Sequence, residues 1–129
     1  MSEPLLLDTC ALIWLVEGNR KLKRAIRNKV DEAAVVYVSP ISAWEISLKA
    51  ARGELILPEV PKAWFEAVLQ AHDLELARLS PEVLMMANRL PWHHRDPADR
   101  FIIATAALRQ IPVVTGDEKF KKYPIQVLN

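Results

Sequence analysis

Four acidic residues stand beside apolar segments, where carboxylates can do chemistry. Asp8 and Asp117 each close an apolar, strand-like run. Asp99 lies at or just inside the start of an apolar helical stretch, and Glu45 lies early in another helical stretch. If these carboxylates converge, they repel one another unless they are protonated or neutralised by a cation. Mg²⁺ or Mn²⁺ is the hard, compact cation that suits a shell of carboxylates and water.

Each acidic residue could also have a purely structural role. Asp96 or Asp99 could cap a helix and complement its dipole, a contribution of about 0.5–2 kcal/mol. Asp8 and Asp117 could be ordinary turn residues at strand ends. Glu45 could be the capping-box partner of the serine three residues before it, or pair with the lysine four residues after it. The conjunction of the acids favours a metal site over separate structural roles.

The elements that must position these acids alternate between strands and helices. Apolar and β-branched runs predict strands over 4–8, 34–40, 74–80, 111–117 and 123–129. Helical spacing and stop signals predict helices over 9–18, 20–33, 42–53, 61–73, 80–90 and 98–110. Ser42 is the predicted N-cap of its helix. This alternation predicts an α/β fold with a mainly parallel central sheet covered on both faces, whose carboxyl edge could gather the acids.

Composition narrows the class of protein. The 129 residues, 51% hydrophobic and 26% charged, fit one globular domain over residues 1–129. The apolar runs are too short for a membrane span of roughly 18 residues, and no secretory signal is visible. The lone cysteine, Cys10, excludes an internal disulfide, favours a cytoplasmic location and is expected in the core.

Net charge alone predicts no nucleic-acid partner, because 17 basic and 16 acidic residues leave a balance of +1. The distribution is less even, since segment 20–29 holds six basic residues and no acidic residue. Such a segment could follow phosphates, although it is more commonly a solvated helix face.

Two histidines and two arginines surround the start of the last long helix. His93 and His94 suit a zinc ion by their chemistry, but adjacent loop histidines cannot both readily point at one ion. These histidines could instead contact RNA or belong to a plain surface loop. Arg95 and Arg100 could pair with the nearby acids or bind phosphate.

Four motifs occur in one order along the chain. They read LLLDTCALIWL, VSPISAWEISLKAARGEL, HRDPADRFIIATA and VVTGDEKF. Together they resemble the PIN-domain ribonucleases of the VapC toxin type, from residue 4 almost to the last residue. The resemblance implies a PIN-like three-layer α/β/α fold and a metal-dependent endoribonuclease, the toxin of a toxin–antitoxin system.

Matched position by position, the resemblance implies an acidic tetrad at Asp8, Glu45, Asp99 and Asp117. We expect Asp8, Asp99 and Asp117 to bind one or two Mg²⁺ ions, with Mn²⁺ able to substitute, and Glu45 to be a ligand or an outer acceptor. Water activated by the metal would attack phosphorus in line and leave 5′-phosphate and 3′-hydroxyl ends on the RNA. Asp96, in the extended motif RDPADR, is expected to be auxiliary.

Two threonines lie beside or close to the proposed ligands. Thr9 follows the first acid and Thr115 lies near the last acid. Each hydroxyl could orient a carboxylate or a water, or each threonine could be a plain strand-end residue.

The resemblance also implies partners, namely an RNA substrate, a cognate VapB-like antitoxin and a second copy in a homodimer, with no membrane involved. Trp64, Phe65 and Leu69 share one helical face, which could contact such a partner or belong to the core.

Two alternatives from other functional classes stay open. One is a catalytically inactive PIN-like module that binds metal or protein without turnover. The other is a receiver domain that accepts phosphate on an aspartate at the end of its third strand, where LELARLS has none.

Overall fold

The computed structural model describes residues 3–129, and over that range the chain forms five strands and six α-helices. The strands are β1 (Leu5–Leu7), β2 (Val36–Val38), β3 (Leu74–Leu76), β4 (Val113–Val114) and β5 (Val127–Leu128). The helices are α1 (Thr9–Glu17), α2 (Arg24–Glu32), α3 (Pro40–Ala51), α4 (Pro61–Ala71), α5 (Pro81–Arg89) and α6 (Pro97–Arg109). The predicted order of elements is confirmed. A 3₁₀-helix at Glu118–Lys122 adds to it, and its short charged sequence carries no periodicity that predicts a helix.

The strands pair in parallel in the order β3-β2-β1-β4-β5, which confirms the predicted parallel sheet. The chain adds strands on one side of β1 and then crosses back to add β4 and β5 on the other side. A crevice therefore opens between the carboxyl ends of β1 and β4, where open α/β sheets bind ligands. Asp8 and Asp117 follow β1 and β4 within three residues, so both leave the sheet at this crevice.

The strand order also excludes the receiver alternative. Flavodoxin-like receivers have the order 2-1-3-4-5, with the third strand beside the first. Here β3 lies at an edge of the sheet and pairs with β2.

Alternate side chains of β1 enter two separate hydrophobic clusters, as the two-residue period of a strand requires. Leu5 and Leu7 pack with apolar side chains of α1 to α4, whereas Leu6 packs with those of α5 and α6. The sheet is therefore the middle layer of an α/β/α sandwich, and the predicted three layers are confirmed.

The apolar face of α4 belongs to the first of these clusters. Trp64 and Phe65 are buried in it, and the partly buried Leu69 packs against it. This face was predicted either to contact a partner or to belong to the core, and the structure places it in the core.

The N-cap of helix α3 lies three residues earlier than predicted. Ser39 caps it by accepting a hydrogen bond from the Ile41 N–H at 3.1 Å, and Pro40 supplies the φ that a first helical turn needs. The prediction that Ser42 caps this helix with Glu45 as its capping-box partner is wrong. Ser42 is fully buried within the helix instead.

Cys10 is exposed, so the prediction that it packs in the core is wrong. Helix α1 turns Ala11, Leu12 and Leu15 toward the sheet, which leaves its second residue at the mouth of the crevice.

Among the helices between residues 3 and 129, none has the length and hydropathy that crossing a lipid bilayer requires.

Candidate active site

A pocket of about 300 Å³ opens at the carboxyl edge of the sheet. Its walls come from α1, α3, the start of α6 and the loop after β4. The acidic residues that line it are Asp8, Glu45, Asp96, Asp99 and Asp117. The structure thus brings together all four proposed tetrad residues and the proposed auxiliary Asp96, although they are up to 109 positions apart in the sequence (117 − 8).

Asp8 is held rigidly at the base of this pocket. One carboxylate oxygen caps α1 by accepting from the Ala11 N–H at 2.7 Å, and the other accepts from the Thr115 hydroxyl at 2.5 Å. The side chain is nearly fully buried, and burial raises its pKa to about 6, with smaller contributions from Glu45 and Asp117. Each carboxylate oxygen can accept more than one hydrogen bond, so Asp8 can cap the helix and bind a metal ion at the same time.

Thr115 connects Asp8 with the opposite wall of the pocket. Its hydroxyl donates to Asp8 and accepts from the Asp117 N–H at 3.0 Å. The threonine therefore fixes the spacing between the residues that follow β1 and β4.

A second threonine orients Glu45. The Thr9 hydroxyl donates to a carboxylate oxygen of Glu45 at 2.5 Å and lies 2.8 Å from the buried Ser42 hydroxyl. Because the Thr9 proton is used on Glu45, Ser42 must donate to Thr9. Burial raises the pKa of Glu45 above its usual value, and the Thr9 hydrogen bond opposes that rise. The buried Ser42 hydroxyl therefore helps to orient Thr9 toward Glu45. Its position in the sequence did not predict this role.

The structure separates the roles of the two aspartates near α6. Asp96 is the N-cap and accepts from the Ala98 N–H at 3.0 Å. Asp99 lies one turn further and faces the pocket without a capping role. Burial raises the pKa of Asp99 to about 8, and the neighbouring charges of Asp96, Glu45, Asp8 and Asp117 act in the same direction.

Asp117 is the outermost of the four tetrad residues. One oxygen caps the 3₁₀-helix by accepting from the Lys119 N–H at 2.9 Å, and the other lies 2.7 Å from Nε2 of His94. Burial alone would raise the pKa of Asp117, but the Lys119 amide and the His94 ring outweigh it and lower the pKa. Asp117 therefore stays charged more readily than Asp8, Glu45 and Asp99.

His94 joins two of the acids, and the hydrogen bonds of its ring fix its tautomer. Nε2 lies 3.0 Å from Asp99 and 2.7 Å from Asp117, while Nδ1 lies 3.2 Å from the Asp96 backbone N–H. A backbone N–H can only donate, so Nδ1 is the acceptor and the ring proton is on Nε2. His94 therefore donates to the carboxylates, and binding zinc through Nε2 would require it to give up the Asp96 hydrogen bond.

His94 is buried, so it does not belong to a plain surface loop. His93 packs edge-on against Tyr123 outside the pocket. His94 lies two residues before the N-cap of α6, and this position was the signal that could have indicated its role in the site. The sequence alone did not distinguish His94 from His93.

Within residues 3–129, Arg100 forms no ion pair with the acids, and its guanidinium is not accessible to phosphate. Both roles predicted for it from the sequence are therefore wrong. Its guanidinium is buried and donates to the backbone carbonyls of Ala87, Leu90, Pro91 and His94. The Trp92 ring covers it at 3.6 Å. Arg100 thus organises the loop between α5 and α6, which carries His94 to the pocket, while Arg95 is exposed on that loop.

The charge in this pocket fits a divalent cation. Raised pKa values for Asp8 and Asp99 mean that burial and repulsion oppose full ionisation, and a bound cation would relieve both. One oxygen each of Asp99 and Asp117 and one ring nitrogen of His94 lie within 4.8 Å of one another, so the two carboxylates are close enough to share one ion. With His94 acting as a donor, the carboxylate oxygens are the available ligands, and oxygen is the ligand that Mg²⁺, Ca²⁺ and Mn²⁺ prefer.

Comparison with known proteins gives concordant results. Residues 5–126 match the PIN domain family. The chain is 27% identical over 119 residues to Ribonuclease VapC22 from Mycobacterium tuberculosis, covering 92% of this chain and 90% of the relative.

Solved structures share the fold at lower identity. VapBC2 from Rickettsia felis, bound to a DNA fragment from its promoter, contains a chain with a TM-score of 0.73 at 16% identity, covering 98% of both chains. A toxin–antitoxin complex from Klebsiella pneumoniae contains one with a TM-score of 0.68 at 21% identity, covering 97% of this chain and 96% of that chain.

The raised pKa of Asp99 predicts a pH dependence of stability. Between its usual value of 3.8 and about 8, the folded metal-free protein holds a proton that the unfolded chain has released. The free energy of unfolding should therefore fall as pH rises from 5 to 8, by up to about 1.4 kcal/mol per pH unit for one such proton. Urea unfolding in EDTA at several pH values measures this slope. The slope should be smaller in Asp99→Asn, and equal slopes in the two proteins would refute the assignment.

The contacts of Arg100 predict a loss of stability in Arg100→Lys. One ammonium cannot reach the four carbonyls that the guanidinium serves, and each buried carbonyl left without a partner costs about 1–3 kcal/mol. Urea unfolding should show a clear destabilisation, whereas Arg95→Lys on the same loop should change stability by no more than about 0.5 kcal/mol. Equal stability of the two variants would show that Arg100 does not hold the loop.

Proposed function

This chain belongs to the PIN domain family, and we propose that it is a Mg²⁺-dependent endoribonuclease that acts as the toxin of a toxin–antitoxin pair. The observation that carries the proposal is the convergence of Asp8, Glu45, Asp99 and Asp117 from separate elements on one pocket. Two of these carboxyls have pKa values raised well above the usual range, so the pocket is poised to take a cation. The likeness to Ribonuclease VapC22 supports RNA as the substrate.

We assign the metal to Asp8, Asp99 and Asp117. Among divalent ions, Mg²⁺ suits this site because the available donors are carboxylate oxygens and because it keeps several of its waters when bound. Mn²⁺ prefers similar ligands and should substitute. When bound, the ion supplies positive charge that acidifies a water nucleophile and offsets the charge that develops on the phosphate.

The residues of this chain hold the reacting groups in place. Thr115 and the Ala11 amide fix both oxygens of Asp8, and Thr9 fixes Glu45 as an acceptor for a proton of the attacking water. His94 ties Asp99 to Asp117 by donating between them. Asp96 completes the acidic wall, and we keep it as an auxiliary residue.

The bond changes follow from a water nucleophile. Water forms a bond to phosphorus, the bond from phosphorus to the 3′ oxygen breaks, and that oxygen takes up a proton. The products are one RNA end with a 5′-phosphate and one with a 3′-hydroxyl. The RNA 2′-hydroxyl takes no part, which distinguishes this reaction from metal-independent cleavage that uses it.

We extend the proposal to partners and location. The fold of this chain resembles that of a chain in a toxin–antitoxin complex from Klebsiella pneumoniae and that of a chain in VapBC2 from Rickettsia felis. A cognate VapB-like antitoxin, a homodimer of this chain and a cytoplasmic location are consistent with that resemblance.

Removal of metal and removal of one carboxylate test this function. Purified protein should cleave RNA with Mg²⁺ or Mn²⁺ and stop with EDTA, because uncompensated carboxylates repel the phosphate. Asp99→Asn should lose cleavage by at least about 100-fold, a common size for removing one electrostatic contact at a reacting centre. Asp96, not Asp99, caps α6, so the variant should stay folded.

The matched control is Asp31→Asn, an exposed aspartate on α2 away from the pocket, which should cleave normally. End analysis of the products should find 5′-phosphates. Cleavage that persists in EDTA, or in folded Asp99→Asn, would contradict the proposal.

A further inference from the structure

A second pocket, of about 280 Å³, adjoins the acidic pocket. We call it the Trp14 pocket, and its lining includes Trp14, Lys21, Lys23, Ile26, Gly116 and Glu118. Trp14 and Gly116 line both pockets. The indole of Trp14 and the backbone at Gly116 therefore form the partition between the acidic pocket and its neighbour.

The partition depends on the absence of a side chain at residue 116. A Cβ added to Gly116 would lie 2.5 Å from Cη2 of Trp14, closer than real contacts allow. The edge of the indole thus packs directly on the backbone between Thr115 and Asp117. This contact fixes the aromatic ring beside two residues of the acidic site.

The charge of the Trp14 pocket is opposite to that of the acidic pocket. Lys21 places its ammonium 6.0 Å from the Trp14 ring centroid, and Lys23 is exposed at the rim. Glu118 also lies at the rim, but Lys121 pairs with it at 3.0 Å. Phosphate would be repelled by the acidic pocket without its metal and attracted by this neighbour.

We infer that the Trp14 pocket binds the nucleotide next to the scissile phosphate of an RNA strand, with its base against Trp14 and its phosphate near Lys21 and Lys23. This inference rests on the proposed ribonuclease function. An aromatic face with flanking lysines is the common means of holding single-stranded RNA without reading its sequence. The lysines disfavour a basic peptide as the occupant.

Two kinds of variant separate stacking from charge. Trp14→Leu should weaken RNA binding about fivefold or more, since one stacked base is lost, and should leave its salt dependence unchanged. Lys21→Ala/Lys23→Ala should reduce the slope of log affinity against log salt by about 0.7 for each lost phosphate contact, hence by about 1.4. A general loss of structure would not lower affinity alone in one variant and change the salt dependence in the other.

The measurement is fluorescence anisotropy of a labelled single-stranded RNA oligonucleotide over a salt series with Mg²⁺. All proteins carry Asp99→Asn so that RNA is not consumed. Lys29→Ala is the matched control, because Lys29 is exposed on α2, the helix that follows Lys21 and Lys23, but lines a pocket with Leu5 at the opposite edge of the sheet. It should bind RNA with the affinity and slope of the parent.

The outcomes distinguish this inference from the function on which it rests. The predicted losses support the Trp14 pocket, whether or not the otherwise unaltered enzyme cleaves RNA, and absent cleavage alone refutes the proposed function. Unchanged affinity and slope in the double lysine variant overturn the pocket even if cleavage is normal. Should Trp14→Leu fail to fold, the lysine variants still decide. Binding of a basic peptide in place of RNA, abolished by Trp14→Leu, would also overturn it.

Discussion

The burial of several carboxylates close together at one edge of the sheet is the constraint on which the rest of this structure depends. Because β1 lies next to β4, the chain returns to the first strand only after more than 100 residues, and it does so with a carboxylate at each strand end. Burial of Asp8 and Asp99 raises their pKa values, which is the cost of gathering them. A bound cation would turn the repulsion between these carboxylates into attraction.

Polar neighbours hold the acids against that repulsion. Thr115 and Thr9 each donate a proton to a carboxylate, and His94 donates between two more. The position of His94 depends in turn on Arg100, whose guanidinium binds the carbonyls of the preceding loop. Arg100 thus supports the site indirectly, because its hydrogen bonds hold the backbone that carries His94.

Sequence patterns predicted the elements and the convergence of the acids well, since hydrophobic periodicity and strand-end carboxylates are local signals. They could not predict contacts between distant segments. Ser42 was predicted to cap a helix because it precedes an apolar run. The helix instead begins at Pro40, and the Ser42 hydroxyl forms a hydrogen bond with Thr9. The sequence also could not show which of His93 and His94 enters the pocket. The position of Trp14 beside the acidic site became evident only from its contact with Gly116.

The most direct test of the central claim is the position of a bound ion. A crystal of the protein soaked in Mn²⁺ and measured at a wavelength where manganese scatters anomalously would locate it. We expect an anomalous peak in the acidic pocket with oxygens of Asp8, Asp99 and Asp117 at about 2.1 Å, or bridged to it by water. A peak held elsewhere, or no peak in this pocket at millimolar Mn²⁺, would contradict the claim.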